Sequence, residues 1–158
     1  MTDRRHFLAL AALGTAGLLL PGRLFAAASA LKTPMTVYKS STCGCCTSWV
    51  SYMQRNGFVP TIITVDDPAR LNDIKTTSGV PEALRSCHTA LVGDYAIEGH
   101  VPADLVLKMI REKPQGRGLA VPGMITGSPG MDGPGMPARP YDVLLFQRDG
   151  SSRVYASR

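Results

Sequence analysis

The chain has 158 residues, 17 basic and 12 acidic side chains, a net charge of +5 and 44% hydrophobic residues, a length that suits one ordinary domain with room for a core. Lysine and arginine are scattered singly with little aromatic interleaving, which gives no footing for nucleic-acid binding. Paired carboxylates, a glycine-rich phosphate loop and a Ser-His-Asp arrangement are likewise absent from the sequence.

Residues 1–30 read as an export signal: Arg4-Arg5 followed by Phe7-Leu8, an apolar run over 8–20, then Ala26-Ala27-Ala28-Ser29-Ala30. The arginine pair resembles a twin-arginine signal. Pro21, Gly22 and Arg23 stop the apolar run short of the roughly 20 residues a membrane-spanning helix needs. The expectation is therefore cleavage after Ala28 or Ala30, a periplasmic domain over 31–158, and no membrane contact after cleavage. The leader takes Arg4, Arg5, Arg23 and Asp3 with it, so the remainder nets +3.

Met35-Thr36-Val37-Tyr38 predicts a strand that runs into the polar turn Lys39-Ser40-Ser41-Thr42 and then the cysteines. Trp49, Val50 and Met53 recur at helical spacing, and Asn56-Gly57 closes that helix. A second strand over 59–65 follows, parallel to the first, then a short amphipathic helix from Pro68 to near Gly79 supplied by Leu71, Ile74 and Lys75. Thr89–Val92 and Tyr95–Glu98 flank Gly93-Asp94 as a hairpin, and 101–113 is a helix with Leu105, Val106, Met109 and Ile110 on one face. Residues 114–140, rich in glycine and proline and holding Met124, Met131 and Met136, read as one long loop. A strand over 141–146 then pairs with Arg153-Val154-Tyr155 across Asp149-Gly150.

The β-α-β-α-β-β-α order, with cysteines where the first strand meets the first helix, resembles the thioredoxin fold: α/β, a small mixed sheet with flanking helices. The chain departs from that pattern in having a cysteine just before Cys46 and in lacking the proline usual before the third strand; Cys87 stands near that place. The resemblance implies that Cys87 lies close to Cys43 and Cys46.

Three of the four cysteines occupy Cys43-Gly44-Cys45-Cys46. Cysteines so close in sequence constrain the unfolded chain little, which argues for chemistry over stapling, although a disulfide-stapled module remains a third reading. A helix N-terminus stabilises a thiolate, and Gly44 permits the sharp path a chelating Cys-x-Cys needs. Soft sulfur donors in an exported protein select Cu(I), with Zn(II) the next choice, and methionine favours copper. Met124 is a candidate contact, with Met131 and Met136 behind it; Met35, Met53, Met109 and Trp49 read as core. His88, adjacent to Cys87, is expected to point to the opposite face of a strand and serve as a hydrogen-bonding neighbour. His100 reads as a cap or surface residue.

Four blocks carry a further likeness: Val37-Tyr38-Lys39-Ser40 through Cys46, Pro81 through Ala90, Ile97-Glu98-Gly99-His100-Val101-Pro102-Ala103, and Gly118 through Met124 continuing to Met131. Together they resemble the periplasmic CopG-like family, a domain of unknown function found among bacterial copper-resistance proteins. The resemblance implies a thioredoxin-like domain binding copper through Cys43, Cys45, Cys46 and Cys87, with His88 and Met124 as neighbours. The leading expectation is an exported protein that sequesters Cu(I) or hands it to another periplasmic copper-handling protein. The alternative is an oxidoreductase in which Cys43 and Cys46 cycle between dithiol and disulfide, oxidising Cu(I) or exchanging with a partner thiol, with Cys87 resolving.

Overall fold

A computed structural model describes residues 32–158; the expected leader lies outside the described residues. Strand β1 (Thr33–Lys39) leads into helix α1 (Gly44–Arg55), β2 (Phe58–Thr64), α2 (Pro68–Thr77), a single 3-10 turn (Glu82–Leu84), the hairpin β3 (Thr89–Val92) and β4 (Tyr95–Glu98), then α3 (Ala103–Glu112) and β5 (Gly118–Ala120), β6 (Asp142–Phe146) and β7 (Ser152–Ser157). The architecture is mixed α/β. The strands form one sheet in the order β2-β1-β3-β4-β5-β6-β7, with β1–β2 and β4–β5 parallel and the other neighbours antiparallel.

Alternation in β1 buries Met35, Val37 and Lys39 on one face. Helix α1 presents Cys46, Trp49, Val50 and Met53 at the i, i+3, i+4, i+7 spacing of one helical stripe, and α3 presents Ala103, Leu105, Val106 and Met109. Apart from Cys46, these helix side chains meet Ala90, Val92, Ile97, Leu119, Val143 and Leu145 of the sheet in one core. Helix α2 departs from expectation. Leu71 and Ile74 are only half covered, and the residue it buries is Lys75.

The long loop expected over 114–140 is interrupted by β5, a three-residue strand with no alternation long enough to register in the sequence. Its place is set by neighbours: Gly118 pairs with Ala96 on one side and Phe146 on the other. A Cβ at Gly118 would collide with the Ala96 carbonyl and sit 2.9 Å from the Phe146 ring, so the strand fits only with glycine there. Gly118→Val should therefore destabilise the fold by about 3 kcal/mol, the upper range of core overpacking, in a denaturant titration; an unchanged midpoint would contradict the close approach.

The strand directions bring the C-terminal ends of β1, β4 and β5 and the N-terminal end of β3 to one end of the sheet. Residues 40–46, 86–88, 99–102 and 121–131 all emerge there.

Candidate metal centre

The turn after β1 is built before any cysteine is placed. Asp66, beyond the end of β2, accepts from the Ser41 amide (2.7 Å) and the Ser40 hydroxyl (3.0 Å), which hold its carboxyl below the ordinary carboxylate range. Lys39 Nζ and the Cys43 amide both donate to the Ser40 carbonyl. Cys43 then caps α1: its sulfur accepts from the Cys46 amide at 3.3 Å, in the place usually taken by a serine or aspartate oxygen. One amide of the first helical turn thus faces sulfur, and the helix dipole favours negative charge there once the thiol is free.

Cys43 and Cys46 are joined in a disulfide, leaving Cys45 and Cys87 as free thiols. Cys45 Sγ lies 3.6 Å from Cys43 Sγ and 4.0 Å from Cys87 Sγ. All four sulfur atoms fall within 4.8 Å of one another, a group that could hold a metal ion. Cys46 is fully buried and the other three are half-buried, so the cluster is covered from below and open on one side.

A second group shares Cys87. The Cys87 sulfur is 3.2 Å from His100 Nε2 and 3.5 Å from His88 Nδ1, and sulfur and ring nitrogens again lie within 4.8 Å of one another. Two expectations are corrected here. His88 does not point away from Cys87: both residues precede β3, so the alternation of a strand does not govern them, and the two side chains turn toward each other. His100 is neither a cap nor a surface residue; it is fully buried, at the start of the link from β4 to α3. Standing between Gly99 and Val101-Pro102, near the charged Glu98, it carries no local sequence signal of burial.

His100 Nδ1 lies 2.8 Å from the Pro129 carbonyl. A carbonyl can only accept, so Nδ1 carries the hydrogen, and in the neutral ring Nε2 turns its lone pair to Cys87. Burial lowers the His100 pKa against the opposing pull of that carbonyl. His88 is pushed well below the usual histidine range by burial first, then by His100, Lys75 and Lys39. Its ring packs on Trp49 (centroids 4.4 Å) and edge-on to His100 (5.1 Å), and its Nε2 is buried with no hydrogen-bond partner. An orphaned nitrogen in a dry site is a feature that a ligand would explain. Cys87 is pushed up to about 11, by burial and then by the Cys45 sulfur, so it is a thiol at neutral pH and any cation it binds must displace its proton.

The glycine-rich segment after β5 is ordered against this site. A Cβ on Gly130, whose φ is +84°, would lie 2.7 Å from the Trp49 amide and 3.0 Å from the Cys45 carbonyl, so only glycine lets the segment rest on the first two turns of α1. Gly123 O accepts from the Ser86 hydroxyl at 2.6 Å, beside Cys87. Of the three methionines there, Met124 is 63% and Met136 46% exposed, while Met131 is half-buried.

No helix among the described residues is long and apolar enough to cross a membrane. The family model described as "Protein of unknown function, DUF411" matches residues 84–131. Two solved structures, "Copper resistance protein copG- Form 1" and "Copper resistance protein copG- Form 2", share 36% sequence identity with the chain and superpose with TM-scores of 0.73 and 0.71. Each comparison covers 80% of this chain and 98% of the other. No curated protein matches the sequence.

Proposed function

We propose that this chain, which belongs to the CopG family of copper resistance proteins, is an exported copper-binding protein that holds Cu(I) on Cys43, Cys45, Cys46 and Cys87 and serves copper resistance. The observation that carries this reading is the convergence of a sulfur from residue 87 on three from residues 43–46. Thiolate sulfur flanked by neutral imidazole is a soft donor set, matched to Cu(I) ahead of Zn(II) and poorly matched to hard cations. Two imidazoles beside Cys87 extend the donor set, and exposed Met124, next to a residue bonded to Ser86, offers a thioether at the rim. The unit from β1 to α3 is thioredoxin-like, a reading supported by the β2-β1-β3-β4 order with β2 parallel and β3 antiparallel to β1. Delivery to the periplasm through the leader at 1–30 places that site where envelope copper is met, and a second periplasmic copper-handling protein would exchange metal with it.

The test is direct. Protein reduced without air, loaded with Cu(I) and desalted should retain copper and show sulfur-to-copper charge-transfer absorption in the near ultraviolet, and Cys43→Ser should lose most of both. A reduced wild-type protein that leaves the desalting column free of copper would overturn the reading.

The Cys43–Cys46 disulfide favours a second reading. In it the S–S bond breaks on accepting two electrons and two protons, the electrons coming from two Cu(I) ions or from a partner dithiol, and re-forms when an oxidant removes them. Turnover with a copper or thiol substrate, absent in Cys46→Ser, would establish it.

A further inference from the structure

Glu98, at the end of β4, is fully buried, and its carboxylate grips both residues that bracket Cys87-His88. Oε1 accepts from the Ser86 amide at 2.6 Å, and Oε2 accepts from the Thr89 hydroxyl at 2.6 Å. Lys75 Nζ, brought in by α2, lies 2.6 Å from Oε1 and donates to Thr89 Oγ1 at 3.1 Å, closing a ring of bonds among Lys75, Thr89 and Glu98. The backbone is tied across the same spot, with the Gly99 amide donating to the His88 carbonyl and the Val121 amide to the Glu98 carbonyl, each at 3.0 Å. Burial pushes the Glu98 carboxyl up, and Lys75 with the two hydrogen-bond donors pulls it back.

A buried ion pair is a poor way to gain stability, since apolar residues of similar volume often do as well or better. What it supplies is direction. Lys75 is the residue α2 buries, and it spends that burial on a carboxylate whose two oxygens fix positions 86 and 89. Between those fixed points Cys87 has little choice of where its sulfur goes. We propose that Glu98, with Lys75 and Thr89, is a positioning clamp that holds the Cys87 sulfur over Cys45. The proposal rests on the reading of Cys87 as part of the metal centre, and a copper-free test lets the two fail separately.

In a Cys43→Ser/Cys46→Ser parent, Cys45 and Cys87 remain, and equilibration with oxidised and reduced glutathione gives the effective concentration of one thiol at the other. In a Cys45→Ser/Cys87→Ser parent the same measurement reports the local Cys43–Cys46 pair. Glu98→Gln should lower the first value about tenfold, the cost of a small misplacement, and leave the second unchanged. Thr89→Val, which removes one arm of the clamp without touching charge, should lower the first by a smaller factor and keeps the test open if Glu98→Gln does not fold. Equal falls in both parents would mean a general loss of structure and overturn the proposal. So would no fall in either, or a parent in which Cys45 and Cys87 pair no better than free thiols. Copper loading of reduced wild-type protein completes the comparison: no retained copper alongside an intact Glu98 effect refutes the metal reading and leaves the clamp standing.

Discussion

Oxidised protein, with Cys43 and Cys46 joined, should bind Cu(I) at least about 100-fold more weakly than reduced protein. Loss of a single outer partner of a metal ligand typically costs 10–100-fold, and the disulfide withdraws two sulfur donors from the ligand set itself. The two remaining thiols, Cys45 and Cys87, are 4.0 Å apart and form an incomplete soft site. Competition against a Cu(I) chelator, before and after reduction, measures the ratio. Equal affinities would mean that the Cys43–Cys46 pair contributes nothing to the site. Cys43→Ser/Cys46→Ser should behave as the oxidised form does and be indifferent to reduction.

Trp49→Ala carries the largest expected cost to stability, about 4 kcal/mol, in the range measured for deleting a buried aromatic ring. Trp49 is fully buried, packs on His88, and donates from Nε1 to the Val101 carbonyl at 3.0 Å. Its removal leaves both a cavity and an unpaired carbonyl in the link that carries His100. The variant should also hold copper less tightly, because α1, His88 and the 99–102 segment lose the side chain common to all three. Denaturant unfolding monitored by far-ultraviolet circular dichroism, the one tryptophan having gone, reads the first effect. A loss below about 1 kcal/mol would contradict the packing described.

Much of the fold is legible in the sequence because its elements announce themselves locally. Trp49, Val50 and Met53 fix α1, Gly93-Asp94 fixes the β3–β4 turn, and short β-branched, aromatic and apolar runs mark β1 and β6. Strand β5 is not legible: Gly118-Leu119-Ala120 becomes a strand only because β4 and β6 lie on either side of it. Nor is the seating of α2, whose apolar residues stay half exposed while Lys75 goes inside to reach a carboxylate 23 positions on.

The site divides in the same way. Cys43, Cys45 and Cys46 stand out by spacing alone, while the approach of Cys87 is expected only through likeness to a fold in which two distant loops face each other. His100 escapes notice because the carbonyl that orients its ring belongs to Pro129, 29 residues downstream in a segment that reads as featureless loop. The turning of His88 toward Cys87 depends on where β3 begins: with Thr89 as its first residue, both lie outside the strand and its alternation does not reach them. Spacing along the chain reveals chemistry within one turn of helix, and contacts across the sheet decide the rest.

A four-sulfur copper site requires Cys87 to join Cys43, Cys45 and Cys46 around one soft cation, and alkylation of Cys87 in reduced protein, read by mass spectrometry with and without bound Cu(I), probes that requirement. Copper should slow modification of Cys87 together with that of the three clustered cysteines. Modification of Cys87 at the same rate in loaded and metal-free protein, with the other three protected, would contradict it.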